Sequence, residues 1–396
     1  MQSFQSPVVW VLESMRAGEN TQLKALADEL GWDYQFKQMY HRPGIPYFLL
    51  GSSLLGIDEE TSELSGPWPD LIISANAKNE PICRWIRDHA DKTVRLVHLG
   101  RPWANIKHFD LVITTPQYRL KAKRNIHVNT VPMHYPIDST RIGDELQVQD
   151  WRVKLSNLPK PYIALMIGGH SGPYSFDERA TQRLVEQANH MAETLGGSLL
   201  ISTSARTPGH VANYLEKEVS APNYFHHWGS TDNNPYYAFL SLADSIIVTG
   251  DSISMLSEAC AMLKPVYIFD LGEGPVSMRQ QGNLSLECLD YFFGKNSNRF
   301  ELDHLRNLFY RIAMWKGLKR LTRDLRLVHS RLIAQKRAVW LGESFPENLQ
   351  KQPFQDVSRT VHRVKRLMNT QPQATSTTTL QNDQSGLYTP AILGSD

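Results

Sequence analysis

Short apolar segments alternate with helix-patterned segments along the first part of the chain, and few folds are compatible with this order. Val8–Leu12 is an apolar run that ends at the loop Arg16–Asn20. Thr21–Leu30 follows with apolar residues at helical spacing, and Gly31 is a typical helix stop. Further apolar runs stand at 71–74, 94–99 and 111–114. Because strands joined by helices pair in parallel, the pattern predicts an open parallel sheet.

A second series of the same kind begins near residue 160. Strands are predicted at 162–167, 198–202, 224–228, 245–249 and 266–269, with helices over 177–195, 211–219, 234–244 and 254–262. The charged stretch 141–154 lacks a hydrophobic period and is predicted to be a linker. The sequence therefore predicts an α/β protein with two Rossmann-like sheets in tandem.

Changes in composition set the expected domain boundaries. We expect a first domain over residues 1–145 and a second over 146–345, which includes basic helical segments from about residue 303. A C-terminal helix is predicted at 346–368. Residues 369–396 are rich in Gln, Thr and Ser with few apolar residues, so we expect a disordered tail.

Composition excludes several classes of protein. The 396 residues are 41% hydrophobic and 21% charged, which is too apolar for a disordered chain, and a formal net charge of +2 excludes a globally basic nucleic-acid coat. Three cysteines without a C-x-x-C pair favour neither a disulfide framework nor a zinc knuckle. With no basic leader and no apolar stretch long enough for a membrane span, we expect a cytoplasmic protein.

Two loops that follow predicted strands have residues suited to an anionic ligand. Gly168 and Gly169 come directly after the strand at 162–167, where glycine lets a ligand approach the backbone. Ser204 and Arg206 follow the next strand, and a guanidinium is well shaped for a diphosphate. The simpler interpretations are a tight turn for the glycines and a solvated loop residue for Arg206. Neither the dinucleotide-binding nor the P-loop glycine pattern is present.

A third motif follows the strand at 245–249. Its polar turn contains Ser252, the predicted helix starts near Ser254, and Glu258 lies one turn further, where a carboxylate can bind two vicinal ribose hydroxyls. The alternative is a helix with Ser254 as an ordinary N-cap and Glu258 as an exposed acid near the helix start.

These motifs together carry a family resemblance. The turn, Glu258-Ala259 and Lys264-Pro265-Val266 resemble the nucleotide-sugar half of GT-B glycosyltransferases. The set as a whole resembles the bacterial relatives of the elongated-mitochondria fission protein of plants. It comprises Gly168-Gly169, Ser204–Pro208, Asn234-Pro235-Tyr236, Asp251–Met255 and Ser257–Ala259. The resemblance implies two Rossmann-like domains that face each other across a cleft, in the GT-B-like manner.

The resemblance also implies roles for individual residues. Gly168, Gly169, Ser204 and Arg206 would lie near the diphosphate, and Ser252 and Ser254 would cap it. Glu258 would bind the ribose, and Asn234 and Tyr236 would line the same cleft. Such enzymes hold no metal, because helix N-termini and basic side chains stabilise the leaving diphosphate, so neither a metal nor a cofactor is expected besides the nucleoside-diphosphate-sugar substrate.

The first domain is expected to hold the acceptor. In GT-B enzymes the first strand-to-helix loop often carries a base or an acceptor contact, and here that loop contains Gly18, Glu19, Asn20 and Gln22. Glu19 stands where the family pattern often has a histidine and is one candidate base. His98, near a strand end, is a second candidate, with a structural role as the alternative.

Two functions from different classes fit this pattern. One is a metal-independent, inverting glycosyltransferase that moves a sugar from a nucleoside-diphosphate donor to a cell-envelope glycolipid or polysaccharide. The other is a non-catalytic recruitment or fission-type protein on the same scaffold, which contacts anionic lipid at the inner face of the membrane through the basic segment 306–337. The alternative for that segment is a helix with a solvated basic face and an apolar side packed on the second domain. No nucleic-acid module is apparent.

Overall fold

The computed structural model describes residues 6–135, 145–230, 233–279, 302–318, 322–346 and 352–369. Within these ranges the chain forms two sheets of six parallel strands each, with helices packed on them. The predicted α/β class with two Rossmann-like domains is therefore confirmed. The predicted disordered tail lies outside the described residues, apart from Asn369.

The first domain is an open parallel sheet in the order β2-β1-β3-β4-β5-β6. Strand β1 lies inside this sheet, is buried along its whole length and pairs through Val9 with Tyr34 on one side and Leu71 on the other. Such burial on both faces explains the continuous apolar runs in the sequence. The elements are β1 (Val9–Leu12), α1 (Ala17–Leu30), β2 (Tyr34–Lys37), β3 (Leu71–Ala75), α2 (Glu80–His89), β4 (Arg95–Leu99), β5 (Leu111–Thr114) and β6 (Ile126–Val128).

The second domain repeats the plan in the order β12-β11-β10-β7-β8-β9. Its elements up to β11 are α3 (Glu145–Lys154), β7 (Tyr162–Met166), α4 (Glu178–Leu195), β8 (Ser198–Ser202), α5 (Gly209–Glu218), β9 (Asn223–His226), α6 (Tyr236–Leu242), β10 (Ser245–Thr249), α7 (Ile253–Ala261) and β11 (Val266–Phe269). The helix α4 begins at its N-cap Asp177 and ends at Gly196, whose φ of 63° is left-handed.

The prediction of a linker at 141–154 is wrong for residues 145–154, the part of this range that the structure describes. Residues 145–154 form α3, and Trp151 at 1% exposure packs edge-on against Tyr224 and Phe239. Trp151 is the only buried residue of this helix, so a single large ring holds α3 on the domain without a repeating apolar stripe. Periodicity could not detect a helix of this kind.

The C-terminal part of the chain connects both domains. After α8 (Leu302–Trp315) and α9 (Arg326–Ala334), strand β12 (Val339–Trp340) extends the second sheet. The last helix α10 (Asp356–Asn369) then packs on the first domain, where Val357 and Val364 join the core around Leu23 and Leu26. The predicted C-terminal helix is thus part of the packing of the first domain.

The basic segment 306–337 does not present one solvated basic face. Arg311, Arg326 and Arg337 are buried, whereas Phe309 and Trp315 on α8 are more than half exposed. None of the described helices combines the length and hydropathy that a membrane span requires.

Candidate functional site

The candidate site lies where the connections of the second sheet reverse direction. From β7 the chain moves to β8 and β9 on one side, and it returns to β10 on the other side of β7. Open parallel sheets bind ligands at the carboxyl ends of the strands next to such a reversal. The loops after β7, β8 and β10 meet at that edge and contain most of the residues predicted to bind the donor.

The two glycines of the first loop are required by close neighbours within the protein. A Cβ atom on Gly168 would lie 2.2 Å from Asp251 Oδ2, and one on Gly169 would lie 2.0 Å from the carbonyl oxygen of Arg206. The amide of Gly168 donates to Thr249 Oγ1 at 2.8 Å, and that of Gly169 donates to Asp251 Oδ2 at 2.9 Å. Glycine therefore lets the three loops close on one another at the strand ends.

Arg206 lies in this loop cluster and forms an ion pair with Asp251. Its Nη2 is 2.8 Å from Asp251 Oδ2, and the side-chain exposures are 44% for Arg206 and 0% for Asp251. Ser204 belongs to the same loop, which Thr207 ties to the carbonyl oxygen of Gly168 by a 2.8 Å hydrogen bond. Arg206 thus presents an exposed guanidinium above a buried carboxylate.

Sequence reasoning missed the role of Asp251. Its Oδ1 is buried and has no hydrogen-bond partner among the described residues. The sequence placed it in the polar turn directly after β10 and in the motif Asp251–Met255, but neither indicated a charge partner. The structure identifies it as the counter-charge that positions Arg206.

The start of α7 is one of the places where the first domain contacts the second. Ser252 precedes the helix and its side chain makes no capping bond, so the amides of the first helical turn are not capped by it. Gln22 of the first domain donates to Ser254 Oγ at 3.4 Å, and a Cβ on Gly18 would lie 3.5 Å from the same oxygen. The predicted acceptor-side residues Gly18 and Gln22 therefore lie directly opposite a predicted donor residue.

Glu258 is buried within α7, so the alternative interpretation of an exposed acid near the helix start is wrong. The Tyr236 hydroxyl donates to Glu258 Oε2 at 2.5 Å. Burial raises the pKa of Glu258 to about 7, and hydrogen bonds from Tyr236 and Tyr237 partly offset this rise. Asn234 lies just before these tyrosines and uses its Oδ1 to accept from the amide of Tyr236 at 3.0 Å.

The first sheet also reverses direction, and Glu19 lies at that point. The reversal is at β1, between β2 and β3, so the loops after β1 and β3 are adjacent. Glu19 accepts hydrogen bonds from Ser14 Oγ and, at 3.4 Å, from Asn76 Nδ2. Asn76 has a φ of 74°, a left-handed conformation that non-glycine residues seldom adopt and that often marks functional sites. No sequence pattern had singled out Asn76.

Two of the predicted first-domain residues have mainly structural contacts. Asn20 closes the loop after β1, since its side chain accepts from the amide of Ser14 at 2.7 Å and donates to the Ser14 carbonyl at 2.8 Å. His98 is 1% exposed inside the first domain, beside Phe109, and burial lowers its pKa to about 3. The structure does not bring His98 to a surface that a substrate reaches.

Groups of three or more His, Cys, Asp or Glu side chains suited to a metal ion do not occur in the described ranges. The prediction that the activity needs no metal stays a prediction.

Comparison with known proteins gives a family match and distant structural likenesses. The model of the family described as Mitochondrial fission ELM1 matches residues 17–284. Mitochondrial fission protein ELM1 of Arabidopsis thaliana is 26% identical over 58% of this chain, and the match spans 59% of the plant protein's length. The uncharacterized protein RP120 of Rickettsia prowazekii is 26% identical over 66% of this chain and 82% of its own. Among solved structures, S. aureus MnaA with UDP is 12% identical, covers 92% of this chain and 97% of its own, and has a TM-score of 0.43.

Proposed function

We propose that this chain, which belongs to the Mitochondrial fission ELM1 family, binds a nucleoside-diphosphate sugar between its two domains and transfers the sugar to an acceptor hydroxyl. The main support is the convergence of Gly169, Arg206, Ser254 and Glu258 at the reversal point of the second sheet, with Gln22 of the first domain opposite them. Reversal points are where open α/β sheets bind nucleotides.

The proposed donor site uses three kinds of group. The exposed guanidinium of Arg206 and the amides at the start of α7, which the Ser252 side chain does not cap, are suited to stabilise the diphosphate as it leaves. Glu258 would accept hydrogen bonds from the two ribose hydroxyls, which would replace the hydrogen bond that it accepts from Tyr236. In this arrangement the sugar points toward the first domain, where Gly18 and Gln22 approach Ser254.

Glu19 is the proposed base of the reaction. Glu19 is the residue after Gly18 and lies at the reversal point of the first sheet. Its carboxylate accepts hydrogen bonds from Ser14 and Asn76. We propose that it accepts the proton of an acceptor hydroxyl while that oxygen attacks the anomeric carbon and the diphosphate leaves, which inverts the configuration. The proposed acceptor is a sugar hydroxyl of a cell-envelope glycolipid or polysaccharide.

Calorimetric titration with UDP, GDP, ADP and CMP and their sugar conjugates tests the donor site. We expect one nucleotide to bind saturably. Glu258→Gln and Arg206→Ala should each weaken the binding of that nucleotide about tenfold or more, the usual effect of losing a charged hydrogen bond. Arg152→Ala, which removes an exposed arginine of α3, is the matched control and is expected to bind as wild type does. If no nucleotide binds at millimolar concentration, the transferase proposal fails.

A separate assay tests the base. We expect Glu19→Gln to keep nucleotide affinity within about twofold of wild type, since the residue is in the other domain, but to slow release of the donor sugar at least a hundredfold, the usual range for loss of a general base. Wild-type rates of sugar release in this variant would rule out Glu19 as the base.

A second function is favoured by the exposed face of α8. Leu305, Phe309, Ile312 and Trp315 are all exposed on this helix, at spacings of three and four residues that place them on one side. Arg306 is exposed on the same helix, and the exposed Lys316 directly follows the helix, with its Nζ 4.7 Å from the Trp315 ring. Exposed apolar side chains flanked by cations are typical of contact with an anionic membrane surface.

Vesicle co-sedimentation tests this second function. We expect binding to vesicles that contain an anionic lipid and loss of binding in the double variant Phe309→Ser/Trp315→Ser. Leu146→Ser, which changes an exposed leucine on α3, is the matched control. Equal sedimentation of wild type and the double variant would refute a role for this face.

A further inference from the structure

The charge of the proposed donor site is not sufficient for a diphosphate. Arg206 is the cation of the loop cluster, but the buried Asp251 carboxylate lies 2.8 Å from its Nη2 and offsets its charge. A nucleoside diphosphate brings at least two negative charges, which proteins usually meet with arginine or lysine. A further cation near the glycine loop would add to the charge that Arg206 and the amides at the start of α7 supply.

Arg323 is placed to supply that cation. It lies in the connection before α9, and its Nη2 donates to Ser171 Oγ at 2.7 Å. Ser171 belongs to the same loop as Gly168 and Gly169, two residues after the latter. The guanidinium of Arg323 thus reaches the loop after β7, although it is distant from that loop in sequence.

Contacts of the main chain fix the position of Arg323. Its amide donates to the Tyr310 hydroxyl at 2.7 Å, and a Cβ on Gly172 would lie 3.1 Å from the Tyr310 ring. The next residue, Asp324, binds Arg119 of the first domain at 2.6 Å. Arg323 is therefore held between the glycine loop and the first domain, and little ordering is needed for it to bind a ligand.

No carboxylate among the described residues lies within ion-pair distance of Arg323. Its neighbour Asp324 pairs with Arg119 at 2.6 Å and with Arg326 at 2.7 Å, so that acid is already shared by two other cations. Arg323 is half-buried and hydrogen-bonds a neutral hydroxyl. Arg206 is thus balanced by an acid, whereas Arg323 is not.

We propose that Arg323 is a ligand of the diphosphate and that it acts together with Arg206, because the two guanidinium groups bind the adjacent residues Ser171 and His170 of the glycine loop. This inference rests on the proposed donor site. It assigns one member of the basic segment 306–337 to the recognition of a phosphate ligand. The chemical class that the residue selects is a diphosphate, whether attached to a nucleoside or free.

The test compares ligands with and without the diphosphate group. The probes are the nucleoside diphosphate that binds wild type best, the corresponding nucleoside, and inorganic pyrophosphate. We expect Arg323→Gln to weaken the binding of the nucleoside diphosphate and of pyrophosphate about tenfold or more. The affinity for the nucleoside should change less than twofold, because only a phosphate contact is lost. Arg331→Gln, at an exposed arginine of α9, is the matched control and is expected to bind all three as wild type does.

Each other outcome has a defined meaning. Unchanged diphosphate affinity in Arg323→Gln refutes this inference and leaves the donor site standing. An equal loss for nucleoside and diphosphate shows that Arg323 only supports the fold and also refutes it. If wild type binds neither a nucleotide nor pyrophosphate, the proposed function fails together with this inference. Should Arg323→Gln not fold, Arg323→Lys and Ser171→Ala replace it. The lysine variant is expected to have intermediate diphosphate affinity, and wild-type diphosphate affinity in both replacements refutes the inference.

Discussion

Replacing Glu258 by glutamine tests the protonation state of the carboxyl group that we propose binds the ribose. Burial raises the pKa of this carboxyl from its ordinary 4.5 to about 7, so the folded protein keeps the proton at a pH where the unfolded chain has lost it. Between these values the folded state binds more protons, and stability from this group falls as the pH rises. The contribution of Glu258 to stability is fully present below about pH 4.5 and is lost as the pH rises through about 7.

The size of the effect follows from the two pKa values. Each unit of difference corresponds to about 1.4 kcal/mol, so the whole interval amounts to about 3 kcal/mol, of which about 2 to 3 kcal/mol falls between pH 5 and pH 8. Urea unfolding of wild type and Glu258→Gln at these two pH values measures it. Taking the difference between the proteins cancels all other titrating groups. We expect wild type to lose about 2 to 3 kcal/mol relative to the glutamine variant as the pH rises.

Tyr236→Phe gives a second measurement on the same carboxyl. The Tyr236 hydroxyl donates to Glu258 and lowers its pKa, so removal of that hydroxyl should raise the pKa further and extend the loss of stability above pH 7. A difference between wild type and Glu258→Gln that does not change from pH 5 to pH 8 would refute the reasoning. It would mean that the Glu258 carboxylate is solvated and ionised throughout, as the exposed position considered from sequence requires.

Three further substitutions test the packing around the site. Gly168→Ala places a Cβ 2.2 Å from Asp251 Oδ2 and should cost about 1 to 3 kcal/mol of unfolding free energy, whereas Gly209→Ala, with open space around its Cα, should cost nothing in the same urea titration. Asp324→Asn removes the acid that holds Arg119 and should cost about 3 kcal/mol or more by thermal or urea unfolding; a cost below 1 kcal/mol would show that the pair is solvated. Trp151→Ala should cost about 3 to 5 kcal/mol, and a near-neutral effect would mean that α3 is not docked on the second domain.

The order of strands and helices could be predicted from the sequence because both are local. Apolar runs of about five residues identified the strands that carry the candidate site. Between these runs stand segments with apolar residues at helical spacing, some of them ended by glycine. Parallel strands present their carboxyl ends together, which is why the loops at 168–172, 203–208 and 250–254 share one edge in the structure. The helix α3 was missed because it is held by Trp151 alone, and one buried ring produces no period.

The pairing of side chains across the fold depended on the tertiary structure. Asp251 and Arg206 are 45 positions apart in sequence, and Asp324 and Arg119 are 205 apart, so no local pattern links either pair. The hydrogen bond that Glu258 accepts from Tyr236 likewise joins residues 22 positions apart in sequence, which only the folded chain brings together. Periodicity reports which face of an element is buried, and it thereby determined the two sheets and the strand ends at which the candidate site lies. The charge balance at that site depends on which distant groups come within a few ångströms, and only the packing of the two domains and the C-terminal helices decided it.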